Sequence, residues 1–343
     1  MPELRRDPVI DRWVIIATER AKRPDQFGVS KHETDLNPGE ACPFCEGNEH
    51  MTPPEIYSIR KKGTAPNGPG WATRVIPSAT PFLRVEGGLD RRGKGMYDLM
   101  NARGAHEVII ETPRHIKEHQ LPAEQVAKVL NTIVDRFEDL KNDSWIRYIL
   151  MFKNYGAAAG GGHIVHSRSQ LIGTPATPKR VKEELNGARK YYDYKERCIF
   201  CDIINQEFEV NKRVIAQVED FVALAPYASR FPFELWILPL KHSCDFHRID
   251  RASIPHLANL MHKVFEKLRR ALGDFPYNLI LHTAPLRNYS KKGYWSSMEH
   301  DYHWHFELIP VLTRVAGFEW GSGFYINPMP PESACDFLKG IKV

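Results

Sequence analysis

The chain has 343 residues, 42% of them hydrophobic, and a formal charge of +5 at pH 7. That length buries one large core or two modest ones. The small charge is spread along the sequence, which excludes the basic stripe of a nucleic-acid binder. No run approaches the roughly 18 apolar residues of a membrane helix, and the opening MPELRRDPVIDRW has no apolar signal core, so a cytoplasmic protein without membrane partners is expected.

In chain order, the first landmark is Cys42-Pro-Phe-Cys45, a C-x-x-C turn. Residues 46–105 follow, rich in Pro and Gly (TPPE, GTAPNGPGW, EGGLDRRGKG), and read as loops inserted over a core. The run HEVIIETPRH reads as a strand closing at His115. Val126, Val129, Leu130, Ile133, Val134 and Phe137 then fall at the i, i+3, i+4, i+7 spacing of an amphipathic helix. RYILMFKNYG is the next strand, and HSRSQLIG opens another at His166. Residues 174–197 predict a charged helix with a Pro-rich entry that joins two halves.

The second half restates this order. Cys198-Ile-Phe-Cys201 leads to FELWILPLKH, which closes at His242. Leu257, Leu260, Met261, Val264, Phe265 and Leu268 repeat the helical stripe, YNLILHTA is the next strand, and DYHWHFELIP holds His303. The shared order is strand, helix, strand, strand, which predicts an internal duplication divided into residues 1–177 and 178–343.

Four of the six cysteines sit in the two C-x-x-C pairs. One tight turn can present two sulfurs to one ion, and zinc prefers four tetrahedral thiolate and imidazole ligands. Cys42, Cys45, His115 and His166 form one expected zinc site; Cys198, Cys201, His242 and His303 form a second, with His282 an alternative ligand there. Plain core or surface histidines are the competing reading. Cys244 and Cys335 read as ordinary thiols.

Strand side chains alternate faces, so His166, Arg168 and Gln170 are expected on one side, as are His303, His305 and Glu307. One histidine would hold metal while its neighbour two places on reaches a ligand.

At this point the residues resemble a family, the galactose-1-phosphate uridylyltransferases of the histidine-triad superfamily, together with plant-type ADP-glucose phosphorylases. The resemblance runs through DPVIDRWVIIATERAKRP, CPFCEGNE, NYGAAAGGG leading into HSRSQLI, CIFCDII, YHWHFELIP and AGFEWGSGFYINPMPPE. It implies an α+β fold: a tandem duplication of histidine-triad-like domains with antiparallel sheets and packed helices, paired as a homodimer. It also implies nucleotidyl transfer between a nucleotide sugar and a sugar phosphate or phosphate, in galactose and nucleotide-sugar metabolism, through a covalent nucleotidyl-histidine. By the same resemblance Cys42, Cys45, His115 and His166 are zinc ligands, Arg20 and Arg23 approach the nucleotide and phosphates, Asn154 orients groups at the reaction centre, and Gln170 bonds the transferred phosphoryl group. Phe318 and Glu319 fall in the hexose-contacting segment, and Ser78 stands where the family often has Asn beside the uridine.

The family pattern is His-x-His-x-Gln, with the second His the nucleophile; this chain reads His166-Ser167-Arg168-Ser169-Gln170. A guanidinium has no free lone pair at neutral pH, so it cannot attack phosphorus, although it can hold a phosphate as a bidentate cation. Three readings follow: a transferase that bypasses Arg168, with direct displacement or with His305 or His163 serving instead; a nucleotide-binding relative with impaired turnover; or a substitution introduced at the nucleophile.

Overall fold

A computed structural model describes residues 1–20, 27, 40–162, 164–287 and 295–343. Arg23 and His163 therefore lie outside the described residues. The strands of the first half are β1 (Glu3–Arg6), β2 (Trp13–Ile16), β3 (Tyr57–Arg60), β4 (Trp71–Pro77), β5 (Arg92–Lys94), β6 (Tyr97–Leu99), β7 (Ala105–Ile110), β8 (Tyr148–Tyr155) and β9 (Arg168–Thr174), with helix α1 (Ala123–Leu140) between β7 and β8. Helices α2 (Lys179–Lys195) and α3 (Ile199–Val210) lead into β10 (Val214–Val218), β11 (Phe221–Leu224), β12 (Leu235–Pro239), α4 (Ile254–Leu272), β13 (Tyr277–His282), α5 (Met298–Asp301) and β14 (His305–Pro310). The chain closes with α6 (Gly317–Ser322), β15 (Tyr325–Asn327) and α7 (Pro331–Gly340).

The α+β tandem expectation holds, with one refinement. The halves share a single ten-stranded antiparallel sheet in the order β10-β11-β12-β14-β13-β8-β9-β7-β4-β3. They meet where β8 pairs β13, with Phe152 opposite Ile280 and Tyr155 opposite Tyr277. The repeat is also longer than the sequence suggested. Each half runs strand-strand-strand-helix-strand-strand, because 46–105 contains β3 and β4 as core strands and the β5–β6 hairpin, where loops were expected. The Pro and Gly clusters masked the apolar run of WATRVIP, whose Trp71, Val75 and Ile76 are buried.

Both helical stripes do what their periodicity demands. Val126 to Phe137 on α1 and Leu257 to Leu268 on α4 join one core with Val75, Ile109, Leu171, Phe306 and Leu308. Each such side chain contributes about 1.5–3 kcal/mol when fully buried. Since Leu171, Phe306 and Leu308 face α1 and α4, alternation turns Arg168 and Gln170 of β9, and His305 and Glu307 of β14, to the opposite face. In the second half that opposite face is covered by α2 and α3, through Val181, Leu185, Ile199, Phe200 and Ile204 packed on Leu224, Trp236 and Leu238.

Two positional expectations are corrected. His115 and His242 do not end strands: β7 stops at Ile110 and β12 at Pro239, and the histidines lie in the turns beyond. Pro113 and Pro239 lack the amide proton that would continue the ladder. Likewise β9 starts at Arg168 and β14 at His305, so His166 and His303 each lie two residues ahead of their strand.

Candidate functional site

The sheet registers fix which residues of the two halves correspond. Gln170 pairs with Val108 and Phe152, and Glu307 pairs with Trp236 and Ile280. Hence Arg168 corresponds to His305, His166 to His303, Asn154 to His282 and Lys153 to Leu281.

Both predicted cysteine and histidine quartets converge, with one ligand atom from each residue inside a 4.8 Å cluster. Cys45 Sγ lies 3.6 Å from His115 Nδ1 and 3.7 Å from His166 Nδ1, and Cys42 Sγ lies 3.6 Å from His166 Nδ1. In the second quartet Cys201 Sγ lies 3.5 Å from His242 Nδ1 and 3.7 Å from His303 Nδ1. A tetrahedral zinc with ordinary bond lengths separates sulfur from nitrogen by about 3.6 Å, so both donor sets fit the ion. The rings of His115 and His166, and those of His242 and His303, stand 5.4 Å apart at 86° in both sets.

The outer nitrogens complete the geometry. His166 Nε2 donates to the Thr112 carbonyl at 2.8 Å, His303 Nε2 to Pro239 at 2.9 Å and His242 Nε2 to Glu299 at 3.0 Å. Each bond fixes the tautomer that leaves an Nδ1 lone pair facing the sulfurs. Burial also lowers the His166 pKa to about 4, keeping that ring neutral. A hydrogen bond from Cys198, followed by those from His242 and His303, pulls the Cys201 thiol down to about 3 against the effect of burial. Thiolate and neutral imidazole are the forms that bind metal.

Arg168 does not project freely. Its Nη1 donates to the Ile164 carbonyl at 2.5 Å and its Nη2 to the Gly161 carbonyl at 2.5 Å, which fastens the strand to the glycine-rich loop before it. The guanidinium lies 5.6 Å from the Phe44 ring centre. Asn154, His166 and Arg168 line a narrow space of about 10 Å³ with that loop. Asn154 accepts from Asn278 at 2.7 Å, and Gln170 bonds His106 at 2.8 Å.

Beneath them is a buried polar group that sequence reasoning missed. Lys153 donates to Glu111, to Ser167 at 3.1 Å, and pairs with Glu118, while Ser167 donates to Glu111 at 2.5 Å. At the corresponding places the second half has Leu281 and Trp304, both apolar and buried. Isolated charges in a sequence usually mark solvated faces, so nothing in the string separates these from surface residues.

His305 sits in a different setting. It is buried between Phe200, Trp236 and His282, with ring centres 5.2, 5.2 and 4.8 Å away. Glu184, His282 and His305 form a third compact donor group, all buried. So His282 belongs here and not to the second quartet. Burial alone would lower the His282 pKa, but the carboxylates of Glu184 and Glu307 raise it to about 10; burial, then charged His282, lowers His305 to about 4. His305, Glu307 and Glu319 line one cavity of about 730 Å³. Phe318 is half-exposed on α6, and Glu319 accepts from the Ala316 amide at 2.8 Å. Arg20 is exposed at the end of a short turn after β2. Neither Arg20 nor Glu319 lines the Arg168 space of this chain.

Residues 1–178 match the galactose-1-phosphate uridyl transferase N-terminal domain, and residues 184–319 match its C-terminal domain. The chain belongs to this family. It is 34% identical to ADP-glucose phosphorylase of Arabidopsis thaliana, covering 100% of this chain and 93% of that protein. It is 28% identical to the galactose-1-phosphate uridylyltransferase of Thermotoga maritima, covering 100% and 99%. The crystal structure of the Arabidopsis ADP-glucose phosphorylase with bound ADP-glucose superposes with a TM-score of 0.81 at 33% identity, over all of both chains. Within the galactose-1-phosphate uridyl transferase family fold, the position two residues beyond the first-quartet histidine is here occupied by a guanidinium.

Proposed function

We propose that the protein is a nucleotide-sugar-binding member of the family that has no covalent histidine step in its first half. The observation that carries this reading is Arg168: a permanent cation with no lone pair, tied by both Nη atoms to the Gly161 and Ile164 carbonyls, at the place where the family attacks phosphorus. In this reading residues 1–177 carry the nucleotide edge, with Arg168 as fixed positive charge and Gln170 and Asn154 as amide partners, and the family resemblance alone assigns Arg20 and Arg23 to the phosphates. Zinc fills both cysteine and histidine quartets and clamps each edge turn to the sheet, a structural role. Residues 178–343 supply the second zinc and the α6 segment with Phe318 and Glu319. We expect a homodimer.

A second reading, transfer by direct displacement between a nucleotide sugar and a sugar phosphate or phosphate, is favoured by the retained Asn154 and Gln170 beside the cation. Arg168 would then offset charge on the phosphoryl group without forming a bond to it.

A thermal-shift panel of ADP-glucose, UDP-glucose and UDP-galactose tests binding first, since a ligand at a hundred times its Kd stabilises by about 2.7 kcal/mol without turnover. Isotope exchange between the binding nucleotide sugar and labelled sugar phosphate or phosphate then separates the readings. Stabilisation without exchange supports the binder, and exchange above a heat-killed control supports the transferase. No stabilisation by any nucleotide sugar defeats both.

A further inference from the structure

The registers that equate the two halves single out one cross-strand pair. Val108 and Trp236 stand opposite Gln170 and Glu307, so His106 of β7, two residues before Val108, corresponds to Glu234, two residues before Trp236. Each lies diagonally across the ladder from the strand residue, within reach of a long side chain. In the second half Arg230 bridges the pair, bonding Glu234 at 2.7 Å and Glu307 at 2.8 Å, and the Trp236 indole donates to the other Glu307 oxygen at 3.2 Å. Arg230, Glu234 and Glu307 are all buried, so that arrangement is closed. In the first half His106 bonds Gln170 directly at 2.8 Å, and only one end of the amide is used.

The tautomer of His106 decides which end that is. The ring is buried, packed on Phe82 with centres 4.3 Å apart, and its Nδ1 has no hydrogen-bond partner among the described residues. A proton on Nδ1 would be an orphaned buried donor, which folded proteins avoid more strictly than an unpaired acceptor. The proton therefore sits on Nε2 and is donated to Gln170 Oε1. With its oxygen taken, the amide turns its N–H2 group away from His106, and that group has no partner among the described residues. Gln170 is partly exposed, on the same face as Arg168.

The two ends of an amide are opposite in sign toward a phosphate. A phosphoryl oxygen accepts from the N–H2 group and is repelled by the lone pairs of the carbonyl oxygen. We infer that His106 is a positioning residue, which holds the Gln170 amide with its donors outward so that they face a phosphoryl oxygen beside the Arg168 cation. The inference rests on the reading that residues 1–177 bind the phosphates of a nucleotide sugar. A residue such as Glu234 has the reverse effect, because a carboxylate only accepts: it takes the N–H2 group of a glutamine and turns the amide oxygen outward. The duplication thus separates a half whose strand side chain keeps donors for a ligand from one whose side chain is spent on an internal ion pair.

Calorimetric titration of the full chain with ADP-glucose, UDP-glucose and inorganic pyrophosphate tests it. His106→Leu removes the donor without adding charge and should weaken a bound probe at least about fivefold, as should Gln170→Ala. In a Gln170→Ala background His106→Leu should cost nothing further, since nothing is left for it to orient. His106→Gln, whose amide can still donate to Gln170, should restore binding to within about twofold of the parent. Nitrogen-15 histidine spectra of the parent protein supply an independent readout: the signal lost in His106→Gln should show the Nε2–H tautomer. An Nδ1–H pattern, the same loss from His106→Leu whether or not Gln170 is present, a folded and zinc-loaded His106→Gln protein as weak as His106→Leu, or no binding of any of the three probes at millimolar concentration overturns the proposal. The nucleotide-sugar reading fails separately, when neither nucleotide sugar binds protein that still holds pyrophosphate. Unchanged nucleotide-sugar binding in His106→Leu overturns the positioning role and leaves that reading in place.

Discussion

Arg168 and His305 occupy corresponding places on β9 and β14, each two residues beyond a histidine whose Nδ1 faces a C-x-x-C sulfur. The duplication thus keeps an imidazole in one half and a guanidinium in the other. They differ in their surroundings as much as in their chemistry. His305 is enclosed by aromatic rings, while Arg168 reaches back to two backbone carbonyls.

Restoring the imidazole is the sharpest test of the first-half site. Arg168→His should acquire a mass increment of one nucleoside monophosphate when incubated with ADP-glucose or UDP-glucose, because His166, Gln170 and the glycine-rich loop remain. Intact-protein mass spectrometry with peptide mapping would place the adduct on residue 168. The unsubstituted protein should show none there. An unmodified but folded, zinc-loaded variant would mean that the loop freed from Arg168 no longer presents phosphorus in line.

Each quartet should hold metal independently, since the two are built from separate turns. Cys42→Ser and Cys198→Ser should each lower zinc by one equivalent per chain by elemental analysis. Each should also lower the melting temperature by several degrees or more, because structural zinc binding, with apparent free energies of about 10–16 kcal/mol, is folding energy. Unchanged zinc in either variant would count against that quartet.

What the sequence disclosed followed from periodicity and repetition. The stripes of α1 and α4 and the doubled cysteine and histidine order required no structure, because ligand spacing and a 3.6-residue period are local properties. β3 and β4 were hidden since Pro and Gly at 53–54, 66–70 and 77 look like loop wherever they bound short strands. His282 was ambiguous for a different reason: only the register pairing His282 with His305 assigns it to Glu184 and not to the cysteines. Asn154 and Gln170 were named from resemblance, and their partners Asn278 and His106 come from strands no local pattern connects.

The buried Lys153 network makes a stability prediction. Lys153→Leu imitates the second half's Leu281 but strands Glu111 and Glu118 in the interior, and removing one partner of a buried ion pair costs about 3–5 kcal/mol. Adding Glu111→Gln and Glu118→Gln should recover part of that loss, since neutral amides need no counter-charge. Urea unfolding of the single and triple variants measures both. A triple variant less stable than the single one would show that the hydrogen bonds from Ser167 to these carboxylates outweigh the relief of their charge.

Gly187 offers a test of how the amino-terminal segment is seated. A Cβ built at this residue of α2 would lie 1.6 Å from the Val9 carbonyl oxygen, so no side chain fits without moving that backbone. The same segment is held by Asp7, which accepts from the Val9 amide at 2.9 Å and pairs with Arg12. Gly187→Ala gains helix propensity but forces the segment off α2; overpacking of this kind costs about 1–3 kcal/mol. Displacing Val9 also shifts Asp7 and with it Arg12, a wall of the cavity around His305. The variant should therefore lose stability by thermal denaturation and expose residues 7–12 to limited proteolysis, while zinc content stays the same. An alanine variant as stable and protease-resistant as the parent would show that α2 and the Asp7–Val9 turn do not touch in solution.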